Sequence, residues 1–300
     1  MTEKIKLTFL GTADSIPSAK RNHTAILLTY SGENILVDCG EGTQRQFRKA
    51  GLNPCKITRI LITHWHADHI LGIPGLLMTL GLSGYQRKLF IYGPRGTKRF
   101  MDALLNLFAI REKYQIEVKE VSGRFFETSE FYLEAEAMTH NTPCNAYLFA
   151  TKEKIRIDKK KLRISKLPEG PLLQKLKIGQ DITHGGKKYL AKNLTFKEPG
   201  EKVSFVLDTS PNKKIAPFVK TSDVLICESS FHSELEEKAN DYQHLTAKQA
   251  AEIAKQAKVK KLILTHISQR YDNNPEKILD EAKKVFKNVS LVKDLDVVNV

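Results

Sequence analysis

Residues 64–69 read His64-Trp65-His66-Ala67-Asp68-His69 and follow the apolar run Ile57-Thr58-Arg59-Ile60-Leu61-Ile62-Thr63. Three imidazoles and a carboxylate packed at the end of a buried-strand pattern are metal-site chemistry, because imidazole and carboxylate are borderline-to-hard ligands that suit zinc. His64 and His66 stand two apart, so in extended chain they project to the same side. Asp68 and His69 turn over the tip of the loop toward a second cation. The set is too crowded for one tetrahedral ion. The pattern indicates a dinuclear site with metals roughly 4 Å apart, the arrangement used to hydrolyse phosphate esters.

Such a site needs donors from elsewhere in the chain, and three more strand-like runs end in one. Phe131 to Met138 runs into Thr139-His140, Val203 to Leu207 into Asp208, and Leu262 to Leu264 into Thr265-His266. Strand ends are where α/β folds assemble their sites. Taken singly, a His or Asp at a strand end is ordinarily a hydrogen-bonded turn residue. Four strands ending this way, together with the six-residue cluster, point to metal binding. Asp38 also closes an early strand, and the glycines after it permit a tight turn beneath the metals. A carboxylate there is placed either as a turn residue or to orient a ligand histidine.

The His-x-His-x-Asp-His loop with later His, Asp and His resembles the metallo-β-lactamase superfamily. Further motifs are similar to those of the ribonuclease Z family, and they run along nearly the whole chain. They are Asp38-Cys39-Gly40-Glu41-Gly42-Thr43-Gln44-Arg45-Gln46, Leu71-Gly72-Ile73-Pro74-Gly75-Leu76-Leu77, Pro17-Ser18-Ala19-Lys20-Arg21-Asn22, Gly170-Pro171 and His266-Ile267-Ser268-Gln269-Arg270-Tyr271. Three places depart from the family pattern while keeping the chemically active residue. Leu207-Asp208-Thr209 stands for Gly-Asp-Thr, His244-Leu245-Thr246 for His-Ser-Thr, and Cys227-Glu228-Ser229-Ser230 for His-Glu-Ala-Thr.

The resemblance implies a four-layer αββα sandwich and an endonuclease that trims precursor tRNA at its 3′ side, leaving a 3′-hydroxyl on the tRNA and a 5′-phosphate on the trailer. It implies two Zn2+ per chain, with Mn2+ as an alternative occupant of a His/Asp site. His64, His66 and His140 would hold one ion, Asp68, His69 and His266 the other, and Asp208 would bridge them. Asp68 would also accept a proton from the attacking water. His244, paired with Glu228, would protonate the departing 3′ oxygen. Arg21, Arg45 and Arg270 would contact the substrate. The family is commonly dimeric, which implies a homodimer in which one subunit's arm helps bind tRNA cut by the other.

Composition agrees with a nucleic-acid enzyme. The net charge is +14, and residues 151–200 hold fourteen Lys or Arg against five Asp or Glu, so nine of those charges lie in one sixth of the chain. A lysine-rich segment is often only a solvated face. Here it falls between His140 and Asp208, two donors that must meet, so the chain has to leave the fold and return. The expectation is a single domain over 1–300 with an inserted arm over 151–200, and with Lys159, Lys160, Lys161 and Arg163 on the tRNA body. Three hundred residues with 41% hydrophobic content suffice for one large α/β core. The apolar runs are strand-length, which excludes a membrane-spanning helix. Met1 to Leu10 reads as a first strand without a signal-peptide cleavage pattern. The four cysteines (Cys39, Cys55, Cys144 and Cys227) are scattered, which suits reduced thiols in the cytoplasm. His23, His184 and His232 are read as non-catalytic. Two other readings share some of these features. One is another hydrolase of the superfamily, acting on a small phosphodiester or thioester without a basic arm. The other is an RNA-binding protein with a closed structural metal, against which seven donors argue, since structural zinc sites usually have four ligands rich in cysteine.

Overall fold

The computed structural model describes residues 4–110 and 114–300. The first strand expected from Met1 begins at Lys6, and Met1–Glu3 lie outside the described residues. The chain opens with an antiparallel meander of β1 (Lys6–Gly11), β2 (Ala25–Tyr30) and β3 (Glu33–Val37). It then adds β4 (Arg59–Leu61), β5 (Leu89–Gly93) and β6 (Ile116–Glu120), all parallel to β3. Parallel neighbours need a crossover, and helices supply it. Thr43–Lys49, Ile73–Leu82 and Thr97–Leu107 are the helices of these three crossovers.

A second sheet opens with β7 (Gly123–Glu127), β8 (Phe131–Met138) and β9 (Cys144–Thr151). The chain next forms four short strands, β10 (Lys154–Ile157), β11 (Ile182–His184), β12 (Lys187–Tyr189) and β13 (Thr195–Glu198), that belong to neither large sheet. It re-enters the second sheet with β14 (Lys202–Val206), β15 (Val224–Glu228), β16 (Lys261–Thr265) and β17 (Val289–Leu291), which run parallel to one another. The final strand, β18 (Val297–Asn299), returns to pair antiparallel with β1. Among the described residues each large sheet therefore has seven strands, in the orders β18-β1-β2-β3-β4-β5-β6 and β17-β16-β15-β14-β9-β8-β7.

Helices flank both sheets, as the αββα expectation requires. One core joins Leu36, Ile60, Ile62 and Ile91 of the first sheet to Leu76, Leu77, Leu80 and Met101 of its helices. A second joins Leu225, Cys227, Leu262 and Leu264 to Ala247, Ala250, Ala251 and Ala254. Those alanines recur at helical spacing along one face of Ala247–Gln256, whose start is fixed by a reciprocal cap between Thr246 and Gln249. The central strands are covered on both faces and so read as unbroken apolar runs, with all five residues of β15 buried. Hydrogen bonds pass from sheet to sheet close to the site. The Tyr147 hydroxyl donates to the Ile62 carbonyl at 2.8 Å, and Asn145 N–H donates to the Thr63 carbonyl at 2.9 Å.

The chain divides into two compact units. The larger holds residues 1–126, 133–149 and 202–300, and the smaller holds 127–132 and 150–201. The smaller unit thus takes in the turn between β7 and β8 as well as the basic insertion. It has a core of its own from Leu162, Leu167, Leu176, Ile182, Ala191 and Leu194. β10 and β13 pair, and β11 and β12 form a hairpin whose turn, Gly185-Gly186, has positive φ at both residues. Within it the helix Lys159–Ser165 is capped by Asp158, buries Leu162, and exposes Lys159, Lys160, Lys161 and Arg163.

Candidate active site

The seven expected donors converge on the larger unit. Two sets of four have ligand atoms all within 4.8 Å of one another: His64, His66, His140 and Asp208, and Asp68, His69, Asp208 and His266. Asp208 is common to both. His64 and His66 lie on extended chain after β4. Asp68 and His69 sit in the short helix Ala67–Ile70, so an abrupt change from extended to helical backbone sends the two pairs to different sets.

The loop is held down by the Cys39-Gly40 turn. Cys39 N–H donates to the His69 carbonyl at 2.8 Å, and Gly72 N–H donates to the Cys39 carbonyl at 2.9 Å. The chains pass so closely that a Cβ on Gly40 would lie 2.3 Å from the Asp68 carbonyl oxygen, and one on Gly72 would lie 2.1 Å from the Gly40 carbonyl oxygen. Only glycine fits at either place. This is the physical content of the Asp-Cys-Gly-Glu-Gly and Leu-Gly-Ile-Pro motifs.

Three donors or their supports sit in the left-handed backbone region. Asp38, Asp208 and His266 have φ of 56°, 40° and 57°. Such conformations cost energy in a residue with a side chain and collect where the surrounding structure imposes them. Here each lies just past a strand, where the reversal turns the side chain back over the strand end.

His69, His266 and His140 each have an outer partner on Nδ1, whereas His66 turns its Nδ1 toward His140 Nε2 at 3.2 Å. His69 Nδ1–H donates to Asp38 Oδ2 at 2.7 Å, and Asp38 is itself fixed by Thr63 N–H and the Thr63 hydroxyl, both at 2.7 Å. His266 Nδ1 lies 2.8 Å from Ser230 Oγ, whose hydroxyl donates to Glu228 Oε2 at 2.9 Å. His140 Nδ1 faces the Gln243 carbonyl at 3.3 Å. With their protons on Nδ1, these rings turn an Nε2 lone pair into the cluster.

The lone pairs that meet there call for a cation. His69 Nε2 and His266 Nε2 stand 3.2 Å apart, and Asp208 Oδ1 lies 3.1 Å from His266 Nε2. Among the described residues, neither His64 Nε2 nor Asp208 Oδ1 makes a hydrogen bond, although both are buried. With His266 neutral and its proton on Nδ1, the 3.1 Å approach sets two electron-rich atoms side by side. Buried acceptors facing one another are unstable unless positive charge lies between them. The residues present fit divalent metal.

The electrostatics agree. Burial, then neighbouring His69, pushes His64 well below the usual imidazole range, which keeps it a neutral ligand. Burial also lowers His66 and His140. Burial works to lower His69 and His266 too, but the carboxylates around them, Asp68 and Asp208 above all, prevail and raise both. Burial would raise Asp68, yet His69 and a hydrogen bond to His266 hold it far below the usual carboxylate range. The same negative field that retains protons on these rings attracts a cation in their place.

His244 stands beside this cluster. Its Nδ1 is 2.9 Å from Glu228 Oε2 and 4.0 Å from Asp208 Oδ2. Burial favours its neutral form, but Glu228 and then Asp208 outweigh that and raise it to about 10. Glu228 is wholly buried, and its other oxygen accepts from Thr209 N–H at 2.6 Å. One carboxylate thus braces the backbone after Asp208, the Ser230–His266 link and His244. Ser230, Thr63, Thr209 and Gln243 were not singled out by sequence, since a Ser, Thr or backbone carbonyl beside a motif has no signature of its own. The Cys144 thiol points at backbone carbonyls of Leu207 and Asp208 and is pushed up by burial, which suits packing.

The arginines expected to touch substrate divide. Arg270 and Arg45 are exposed on the larger unit. Arg21 is not available. It is only 5% exposed, donating to Thr12 Oγ1 at 2.7 Å and the Val292 carbonyl at 2.8 Å, with Asp272 at 3.7 Å. It ties the loop after β1 to the C-terminal segment, and that expectation is corrected. Lys159, Lys160, Lys161 and Arg163 belong to the smaller unit described above.

Comparison with known proteins gives the chain its family. A family model described as "Anti-Pycsar protein Apyc1" matches residues 5–117. The ribonuclease Z of Methanothermobacter thermautotrophicus is 38% identical over 298 residues, spanning 99% of this chain and 97% of that protein. Among solved structures, the short form of human tRNase Z is similar with a TM-score of 0.70 and 26% identity, covering 98% of both chains. The metallo-β-lactamase-fold protein YhfI from Bacillus subtilis aligns over 100% of both chains with a TM-score of 0.73; at 19% identity it speaks to the fold. Matched to a curated ribonuclease Z at 38% identity over nearly its whole length, and carrying two large sheets flanked by helices around a shared His/Asp cluster, the chain belongs to the ribonuclease Z family of metallo-β-lactamase-fold proteins.

Proposed function

We propose that this protein is a metal-dependent endoribonuclease that cuts precursor tRNA at its 3′ side, releasing the trailer with a 5′-phosphate and leaving a 3′-hydroxyl on the tRNA. The observation that carries this reading is a pair of four-donor sets sharing Asp208, with the Glu228–His244 pair set against it, in a chain of the ribonuclease Z family. Two zinc ions per chain are the proposed cofactor, with manganese able to replace them. His64, His66 and His140 would hold one, Asp68, His69 and His266 the other, and Asp208 both. When bound, the ions supply Lewis acidity, neutralising phosphate charge and easing deprotonation of water.

The protein's own groups do the rest. Asp68 accepts the proton of the attacking water. His244, its Nδ1 held by Glu228, carries on Nε2 the proton needed by the departing 3′ oxygen. Asp38, Ser230 and the Gln243 carbonyl keep three ligand rings in the tautomer that presents Nε2. The exposed lysines of the helix Lys159–Ser165 would grip phosphates of the tRNA body. A homodimer is supported by the apolar side chains Leu71, Met78 and Leu82, which are exposed on and beside the helix Ile73–Leu82. Four unpaired cysteines, and the lack among the described residues of a helix long and apolar enough to cross a membrane, suit a cytoplasmic enzyme.

The deciding experiment incubates end-labelled precursor tRNA with metal-replete protein, with and without chelator. A single chelator-sensitive cut near the 3′ end is expected. RNA that is bound but left intact by metal-replete protein would overturn the reading.

A further inference from the structure

Beside the metal cluster, in the larger unit, lies a cleft of about 530 Å3 lined in part by Ile16, Phe231, Tyr242, His244 and Arg270. Its walls are of an unusual kind. The rings of Phe231 and Tyr242 are nearly parallel, 18° apart with centroids at 6.4 Å. The Arg270 guanidinium lies over Phe231 at 5.1 Å and is oriented by a bond from its Nε to Ser268 Oγ at 3.1 Å. Phe231 is buried and forms the floor, whereas Tyr242 is 57% exposed and Ile16 52% exposed. Tyr242 ends the helix Glu236–Asp241, and only Gln243, at φ 58°, separates it from His244. The side chains on either side of that left-handed residue, Tyr242 and His244, both line the cleft. Lys238, one turn back on the same helix, lies 5.9 Å from the Tyr242 ring and brings a cation to the rim.

We infer that this cleft is a nucleobase subsite that holds the nucleoside immediately upstream of the cut, its base stacked on Tyr242 and the Arg270 guanidinium above Phe231. The inference rests on the endonuclease reading and adds a position to it. Three observations support it. Planar aromatic and guanidinium faces with a flanking cation are the surface on which single-stranded bases stack. The volume falls in the range of small-ligand sites, roughly 300–1,000 Å3. His244 lines the cleft and is the proposed donor to the 3′ oxygen of the upstream nucleotide, so a base attached to that same ribose enters this cleft and not one on the far side of the metals. A stacked base at this position fixes which phosphodiester sits over the cations.

The test pairs enzyme variants with abasic substrates. Tyr242→Ala and Tyr242→Phe are compared with the unaltered enzyme on precursor tRNA, on tRNA abasic at the nucleotide 5′ of the cut, and on tRNA abasic at the nucleotide 3′ of it. Thermal melting of each variant monitors the fold; loss of an exposed ring should leave it unchanged. With the intact substrate, Tyr242→Ala should lower kcat/KM by about 5- to 150-fold, the span of base–aromatic stacking, and Tyr242→Phe should keep most of the activity. The 5′-abasic substrate should lose a similar factor with the unaltered enzyme and little more with Tyr242→Ala, because both remove the same interaction. Cut-site heterogeneity should rise in both cases. Multiplying losses, indifference to the 5′ base, or coupling of Tyr242 to the 3′ base would each overturn the inference while leaving cleavage itself in place. Absence of any cut by the unaltered enzyme would remove both the inference and the reading beneath it.

Discussion

His244 Nδ1 and Glu228 Oε2 stand 2.9 Å apart, and Glu228 is fully buried. Among the described residues its other hydrogen-bond partners are the Thr209 N–H and the Ser230 hydroxyl, neither of them a cation, and a buried carboxylate so placed needs that imidazole charged. The pair therefore turns an ordinary histidine into one that stays protonated at neutral pH, which is what a poor alkoxide leaving group requires.

The first prediction concerns that pair. His244→Ala should lower turnover on precursor tRNA by about 100- to 10,000-fold, the usual worth of general acid catalysis, while elemental analysis still finds the full metal content. A phosphodiester with an activated leaving group should be nearly indifferent to the change. Loss of metal from His244→Ala would mean that it is a ligand and not a donor.

The second concerns pH. The group acts when protonated and its pKa is raised to about 10 by Glu228 and Asp208 against burial, so rate is retained through neutrality and lost as pH rises. Bound cations move that alkaline limb down, and Glu228→Gln should move it further down still. The linkage to stability has the same sign: in metal-free protein this contribution is fully present below the unfolded value of about 6.5 and disappears as pH climbs toward about 10. A pH–rate profile whose alkaline limb is unmoved by Glu228→Gln would separate Glu228 from the proton donor.

The third concerns Asp38, which orients His69 without joining the cluster. Asp38→Asn should keep the left-handed backbone, which Asn tolerates, yet weaken metal binding about 10- to 100-fold, as loss of an outer-shell carboxylate does. Isothermal titration with zinc reads this directly. Unchanged affinity would reduce Asp38 to a turn residue.

The fourth concerns Asp68 and metal number. Metal-replete protein should contain two ions per chain by elemental analysis. Asp68→Ala should lower turnover by several orders of magnitude with tRNA affinity little changed, because the basic surface that binds RNA is untouched. Fully active protein with a single ion would end the dinuclear mechanism.

The fifth concerns the smaller unit. Replacing the exposed Lys159, Lys160, Lys161 and Arg163 with Ala should raise KM for precursor tRNA. It should also flatten the dependence of log affinity on log salt by up to about 3.6, near 0.9 for each of four phosphates no longer neutralised. A small phosphodiester should be cut as before. If tRNA affinity and its salt slope survive, these residues form only a solvated face, and the exposed Arg45 and Arg48 become the candidates for binding phosphate.

The metal loop was legible in the sequence because its chemistry is local. Ligand type and two-residue spacing lie within His64 to His69, the apolar strand pattern runs directly into them, and the glycines after Asp38 read as a tight turn. The strands leading to Asp208 and His266 were also readable, since parallel strands buried on both faces must be runs of apolar residues, and the strand leading to His140 announces itself by alternating apolar and polar residues, buried on one face. What lay beyond the sequence were the partners that carry no signature of their own. Nothing near Arg21 says that its guanidinium is spent on Thr12 and Val292, and an arginine in a loop reads as exposed until the tertiary fold closes over it. The Ser230–His266 link joins residues 36 positions apart through a serine that single-sequence patterns treat as a turn-former, and which of the two readings of Asp38 holds was decided only by its 2.7 Å contact with His69. The cleft beside His244 is assembled from residues near 16, 231 to 244 and 268 to 273, brought together only when β1, β15 and β16 take their places in the two sheets. Residue type and local spacing marked the groups able to bind metal and move protons. Packing set which lone pairs face one another, which charges are buried, and which surfaces remain open to RNA, because burial and distance are properties of the folded chain and not of its order.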